Sequence, residues 1–406
     1  MSEHSALPIV TVRIERAATG GGVGRADDGR VIFVRHSLPG ELVEVQVNET
    51  SSKFYRGEAL RVLEASSVRV AAPCPYAHPG GCGGCDLQHA SPDAQLSWKA
   101  SLVSEHLRRI TGLEIDVAVS GSPAPVKGSR TRLRCGVDEG GRLGLRAARS
   151  HDLVAIDACW IADERFEPAF GHSWRGVSEV ELRAIGDDEP FAVARRESQR
   201  GTTFELRSLT GAPLDPSTHS RVAVHDFVFS VSPMSFWQSH RYAPTVLLDA
   251  VLEMAKVGDG DDVVDLFSGV GLFSVPLARR VGAAGRVTAV ESSPYAVRDA
   301  RTNASGLTQM KVREWSVTPR SVNDTVRAGS TVVLDPPRQG LAKGVGASLV
   351  RRSPKRVIYV SCDAATFARD LRIFLGSGYA LNLLQVFDLF PMTEHVELVA
   401  SLDSPS

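Results

Sequence analysis

The sequence has no apolar run long enough to cross a bilayer, and its opening, Met1-Ser2-Glu3-His4, carries no signal-peptide pattern. A cytoplasmic protein with no membrane partner is expected. Neither sign of charge is in excess. With 46 Lys and Arg against 47 Asp and Glu, any surface for nucleic acid must be local. No internal repeat or low-complexity tract appears, which excludes solenoids and long biased tails. Cysteine is also scarce. Six in 406 residues, in a reducing compartment, argue for metal binding or catalysis and against a disulfide framework. The length allows two or three domains.

The clearest feature present is Val263–Ala278, VVDLFSGVGLFSVPLA. An apolar run ending in an acid reads as a buried parallel strand, Ser268-Gly269-Val270-Gly271 as a turn, and the rest as a helix. Such a turn places backbone N–H groups and a helix start at a sheet edge, where a nucleotide-like ligand can sit. A tight turn in any α/β domain reads the same way. Arg286–Val290 is a second strand, and it ends in Glu291, about twenty residues past the glycines, where doubly wound folds keep an acceptor for ribose hydroxyls. The turn lacks the third glycine of a dinucleotide site. It fits a nucleoside without pyrophosphate, such as S-adenosylmethionine, better than NAD.

Ahead of it, Ile9–Leu63 predicts short strands at Val10–Ile14, Val31–Val34, Leu42–Val47 and Glu58–Leu63, with Gly20–Gly24 and Leu38-Pro39-Gly40 as breakers. The spacing suggests a small OB-like β-barrel. Phe33, Lys53, Phe54, Tyr55 and Arg56 mix aromatics and bases as RNA-stacking surfaces do, although Phe33 reads equally as barrel core.

Cys74, Cys82 and Cys85 follow in a C-x7-C-x2-C pattern. The glycines of Cys82-Gly83-Gly84-Cys85 leave room for a bulky centre, and ligand type alone allows zinc or an iron–sulfur cluster. Cys159 is the expected fourth ligand. Cys135 lies inside an alternating strand, where a buried free thiol is common. Ser97–Ile110 has helical spacing. Lys127–Arg149 holds seven bases and two acids, and Arg130, Arg132 and Arg134 share one face of a hairpin that turns at Asp138–Gly141. That face is either a phosphate-binding surface or a solvated one. Glu164–Glu205 shows no chemistry. Val222–Val231 reads as a strand.

From Leu247 onward strands and helices alternate, which predicts a doubly wound sheet of seven strands: Val263–Phe267, Arg286–Val290, Lys311–Trp315, Thr331–Leu334, Val357–Ser361, Leu383–Phe387 and Val396–Leu402. Asp335-Pro336-Pro337-Arg338, Tyr359-Val360-Ser361-Cys362-Asp363 and Glu394-His395-Val396-Glu397 fall at or beside strand ends, where ligands bind in such sheets. A thiol and a carboxylate near a methyl donor suit one chemistry in particular. Carbon-5 of uracil is too weak a nucleophile to take a methyl group. A thiolate adding to carbon-6 activates it, and a base then removes the carbon-5 proton so that the thiol can leave. Cys362 fits the thiol and Glu397 the base.

Taken together, the cysteine run ending CGGCDLQH, with FWQ, DLFSGVG, DPPRQG, YVSC and HVE, resembles the RNA uracil-5 methyltransferases, over nearly the whole chain. The resemblance implies an N-terminal OB-like TRAM barrel (1–66), a central α+β RNA-binding domain with the cysteine cluster (67–230), and a Rossmann-like class I methyltransferase domain (231–406). It implies Cys362 as nucleophile and Glu397 as proton acceptor. Gln238, Phe267, Glu291 and Asp335 would contact S-adenosylmethionine, and Asp335 with its arginine neighbour would help place the uracil. Cys74, Cys82, Cys85 and Cys159 would hold a [4Fe–4S] cluster. The expected partner is RNA, ribosomal first and transfer RNA second, and the chain is expected to be a monomer. Three departures stand out: a first cysteine spacing two residues longer than the family's common form, Leu272 where an Asn often touches the methionine part, and Asp363-Ala364 in place of Asn-Pro. A non-catalytic RNA-binding protein and a cytosine-5 enzyme are the competing readings.

Overall fold

The computed structural model describes residues 8–122, 125–199 and 201–405; the opening Met1-Ser2-Glu3-His4 lies outside them. Ile9–Ala18, Gly21–Arg25, Val31–Arg35, Phe54–Glu64 and Leu42–Thr50 close into a barrel in that order. Alternation fills it, burying Val12, Ile14, Ile32, Val34, Val43 and Val45 in one cluster. Gly21–Arg25 is a strand where the sequence suggested a breaker. The cause is close approach of backbones. A Cβ on Gly24 would lie 2.3 Å from the Arg13 carbonyl oxygen, and one on Gly21 2.3 Å from that of Val34. Phe33 is half-buried outside that cluster and meets Phe54 edge to face at 6.1 Å, with the Arg56 guanidinium 4.7 Å from the Phe54 ring. Tyr55 instead turns inward and donates to Asp28 at 2.9 Å.

Six antiparallel strands form the central sheet, in the order Gly201–Ser208, Phe191–Ser198, Glu179–Arg183, Arg132–Val137, Leu143–Arg146 and Leu153–Ala155. The expected turn closes with the Asp138 N–H on the Arg142 carbonyl at 3.0 Å. The run Val222–Val231 is not one strand. It lies in a hairpin of Ser220–Val224 and Phe227–Val231, reversed at His225 with φ 51°.

The large sheet has eight strands, ordered Met310–Glu314, Arg286–Glu291, Asp262–Leu266, Thr331–Leu334, Arg356–Ser361, Glu397–Asp403, Ala380–Phe387 and Val119–Ser120. Seven correspond to predicted strands. The eighth comes from much earlier in the chain and pairs Val119 and Ser120 with Val386 and Phe387. Two residues offer no periodicity to read. Glu397–Asp403 runs antiparallel to both neighbours. The helix Pro92–Thr111 starts at the Ser91 cap and stops at Gly112, φ 77°. It buries Val103 and Leu107 beside Val264, Leu266 and Tyr359, so it packs on the large sheet. The strand order reverses between Asp262–Leu266 and Thr331–Leu334, which opens a crevice at their carboxyl ends.

Candidate active site

Phe267 leaves the strand Asp262–Leu266 with φ 65°, and its N–H and that of Ser268 both donate to the Val290 carbonyl, at 3.0 and 3.1 Å. This bend ties the glycine turn to the strand that ends in Glu291. One Glu291 oxygen accepts the Gly269 N–H at 3.0 Å, and the other accepts Ser292 and Ser293 N–H groups at 2.7 Å each. A Cβ on Gly269 would meet nothing within 4 Å, so space lies open before the turn. Asp265 beneath it is fully buried, and burial pushes its carboxyl up to about 7, against a hydrogen bond from Ser274. Its Oδ1 and the Ser268 hydroxyl are buried without a partner. Orphaned polar atoms beside open space are what a ligand carrying hydroxyl and amine groups would satisfy, so the residues present fit S-adenosylmethionine. Leu272 faces away, packed in the core with Val270 and Phe273.

Cys362 lies between the strand Arg356–Ser361 and Asp363, the cap of the helix Ala364–Leu375. The Asp363 carboxylate accepts the Thr366 N–H at 2.8 Å. The acid that replaces the family's Asn therefore starts the helix, and the thiol stays at its N-terminal end, where the dipole favours a thiolate. Burial pushes the thiol up to about 12, and Glu397 pushes the same way. Arg338 opposes both by its charge and a hydrogen bond, with Asp335 adding a smaller upward push. Glu397 opens its strand opposite Phe387 and is buried. Its carboxyl is raised well above the carboxylate range by burial and by Asp335, again against Arg338. Burial holds Asp335 at about 7. Cys362, Glu397, Asp335 and Arg338 thus form one electrostatic unit at the end of the sheet. Sequence reasoning gave Arg338 only a role in placing the base; its reach to the thiol depends on how the double-proline turn folds back.

Gln238 lines a small cavity with Thr131, Arg132, Arg183, Ser235 and Trp237. The arginine stripe beside it is partly neutralised. Glu181, from a segment that showed no chemistry in sequence, accepts from Arg132 at 2.8 and 2.9 Å, from Arg134 at 3.1 Å and from Arg183 at 2.5 Å. Burial resists its ionisation, but these arginines hold its carboxyl down at about 2. Arg134 remains 62% exposed and Phe236 52%, with the Arg132 guanidinium 5.4 Å from the Phe236 ring. This is a mixed cationic and aromatic surface beside Gln238.

Cys74, Cys82, Cys85 and Cys159 line one cavity of about 170 Å³, whereas Cys135 is fully buried in the sheet core. Burial pushes Cys85 up to about 12 and Cys159 up to about 11. The Gly84 N–H reaches the Cys82 sulfur at 3.3 Å, and the amides of Ile161 and Ala162 favour the Cys159 thiolate. Four thiols around one cavity, with amide donors turned on the Cys82 and Cys159 sulfurs, fit a group that supplies positive charge to them.

Residues 217–403 match the family model described as tRNA (uracil-5-)-methyltransferase, and residues 8–60 match the TRAM domain. An RNA methyltransferase of Streptomyces coelicolor is 38% identical, covering 97% of this chain and 92% of its own. The 23S rRNA (uracil(1939)-C(5))-methyltransferase of Acinetobacter baylyi is 30% identical, covering 92% and 89%. The crystal structure of the Pyrococcus abyssi tRNA (uracil-54, C5)-methyltransferase with S-adenosyl-L-homocysteine superposes with TM-score 0.69 at 25% identity, covering 96% of this chain and all of that one. The fold and its crevice define an S-adenosylmethionine-dependent methyltransferase with an N-terminal TRAM barrel. The chain belongs to the RNA uracil-C5 methyltransferase family. Among the described residues, no helix is long and apolar enough to cross a membrane.

Proposed function

We propose that this chain methylates carbon-5 of a uridine in 23S ribosomal RNA, through a transient bond between the Cys362 sulfur and carbon-6. Transfer RNA is the second choice of substrate. The observation that carries the reading is the convergence of Cys362, Glu397, Asp335 and Arg338 at the strand ends beside the glycine turn. Arg338 favours the thiolate by its charge and a hydrogen bond, against burial and Glu397. The thiolate adds to carbon-6, and the displaced π electrons make carbon-5 nucleophilic. S-adenosylmethionine, when bound, supplies a methyl group on a cationic sulfur. Glu397 then takes the carbon-5 proton, the carbon-6–sulfur bond breaks, and the 5,6 double bond returns. Gln238, Phe267, Glu291 and Asp335 hold the donor. The target base must leave its stack to reach a thiol this recessed. The relative from Acinetobacter supports ribosomal RNA and the neighbour from Pyrococcus supports transfer RNA. We place the protein in the cytoplasm as a monomer, with the barrel and central sheet as its RNA-binding domains.

The direct test supplies wild-type protein with total RNA and methyl-labelled S-adenosylmethionine, then digests the RNA. Labelled 5-methyluridine is expected. Labelled 5-methylcytidine would transfer the chain to the cytosine class, and no label would favour a binding module. Both groups that must ionise are shifted upward, Cys362 to about 12 by burial and Glu397 well above the carboxylate range by burial and Asp335. Raised pKa values mean that the active forms are gained as pH rises, so initial rates should climb over about pH 6 to 9 without an alkaline decline. A rate falling across that range would contradict the roles.

Cys74, Cys82, Cys85 and Cys159 would hold a [4Fe–4S] cluster. Four thiols alone would suit zinc or an iron–sulfur cluster, and the family resemblance is what favours the cluster. Held by these four residues, a cluster would cross-link segments 74–85 and 159 and so support the fold of the RNA-binding part. Cys85→Ser should lose visible iron–sulfur absorbance and weaken RNA affinity or folding. Normal folding and RNA affinity in protein free of iron would refute this role.

A further inference from the structure

The loop 388–396 joins the strand Ala380–Phe387 to the strand that opens with Glu397. It is short of regular structure, yet it is held from three directions. At its centre Met392 adopts φ 65°, a left-handed conformation that a side chain of this size rarely takes. Such a residue persists only where its surroundings over-determine it. Here the Met392 N–H donates to the Gln95 Oε1 at 3.1 Å, and its carbonyl accepts the Asp86 and Leu87 N–H groups at 2.9 Å each. Gln95 is itself buried and fixed by its Nε2 donating to the Ala90 carbonyl at 3.0 Å. One helical turn on, the fully buried Lys99 bonds the Asp388 carboxylate and the Phe390 carbonyl, the latter at 2.9 Å. Glu394 accepts the Gly20 N–H of the barrel at 2.6 Å. His395 faces Arg338, the cation that also faces Cys362 and Glu397.

These bonds serve no part of the chemistry described above, and two of them bury polar side chains that an apolar helix face would not need. We propose that Gln95 and Lys99 are positioning residues for Glu397, holding the 388–396 loop so that its carboxylate meets the carbon-5 proton. Asp86 directly follows Cys85, so order in the cysteine cavity passes through the Asp86 and Leu87 amides to Met392. The inference rests on Glu397 being the base. It separates the two halves of the reaction. Addition of the thiol depends on Cys362 and Arg338, which follow the strands Arg356–Ser361 and Thr331–Leu334. Release of the thiol depends on Glu397 and therefore on the loop.

The test is single-turnover reaction of the whole protein with RNA and S-adenosylmethionine, following the denaturant-stable protein–RNA adduct as it forms and decays. In Gln95→Leu the adduct should form at close to the wild-type rate and decay more slowly by about 10- to 100-fold, the effect of misplacing a catalytic group by about an ångström. Gln95→Glu as a neutral acid keeps both acceptor and donor, and should restore the decay. Asp388→Asn weakens the second pin without removing it and should shift decay the same way by less. S-adenosylmethionine affinity should be unchanged in all three. Decay at the wild-type rate in Gln95→Leu and Asp388→Asn, or formation and decay slowed equally as for a loss of general structure, would overturn the proposal. Glu397→Gln in the same assay separates the two ideas. An adduct trapped there but not in Gln95→Leu refutes the positioning role alone, and no adduct there refutes the base.

Discussion

Glu397→Gln should leave RNA covalently attached to the protein. The amide keeps the shape of the side chain and can sit in the same buried place at the start of its strand. It cannot accept the carbon-5 proton. Thiol addition and methylation go forward, but the 5,6 double bond is not restored, and the sulfur stays on carbon-6. Turnover should fall by about 10²- to 10⁴-fold, the usual worth of a positioned general base. The mark of the role is the product that accumulates, a methylated adduct resistant to denaturant, visible as a shifted band on a gel. Slow turnover without that band would make Glu397 structural. The amide cannot ionise, so it carries no charge in a place where burial and Asp335 disfavour one, and the variant should be no less stable to denaturant than the wild type.

Cys362→Ala should have the larger effect, a loss of methylation of at least about 10⁴-fold. Without the sulfur, carbon-5 of the uracil is never made nucleophilic, and neither base nor donor can compensate. The side chain is only partly buried and the helix after it is started by Asp363, so the fold should survive. Donor binding should survive as well, because the glycine turn and Glu291 lie on other strands. Equilibrium binding of S-adenosylmethionine together with methylation rates checks both halves. A double variant with Glu397→Gln should show no adduct, since the trap needs the thiol. Residual methylation within about tenfold of wild type would remove the covalent route.

Much of this was legible before any coordinates. The run Val263–Ala278 read as strand, turn and helix because burial on both faces leaves an unbroken apolar pattern. Cys159 could be chosen over Cys135 because alternation placed Cys135 in a strand. What escaped shares one character: it depends on segments far apart in the chain. Glu181 looked like one acid in a polar stretch, yet the antiparallel pairing of Glu179–Arg183 with Arg132–Val137 sets it between three arginines. The glycines of the barrel read as turn formers because sequence shows their flexibility but not the carbonyl oxygens pressing on their α-carbons. Val119–Ser120 is too short to carry a period. Arg338 could be given only a role in placing the base, and Lys99 stood out as nothing more than a charge. That one faces a thiol and the other is wholly buried against Asp388 follows from tertiary packing.

The central claim is a bond from the Cys362 sulfur to carbon-6 of a uridine. RNA made with 5-fluorouridine tests it on the unaltered protein, since fluorine cannot leave as a cation and the final elimination is blocked. After incubation with this RNA and S-adenosylmethionine, proteolysis and mass spectrometry should find the peptide containing Cys362 carrying one methylated fluorouridine nucleotide. Protein that is active on ordinary RNA yet yields no adduct, or yields one on another residue, would contradict the mechanism.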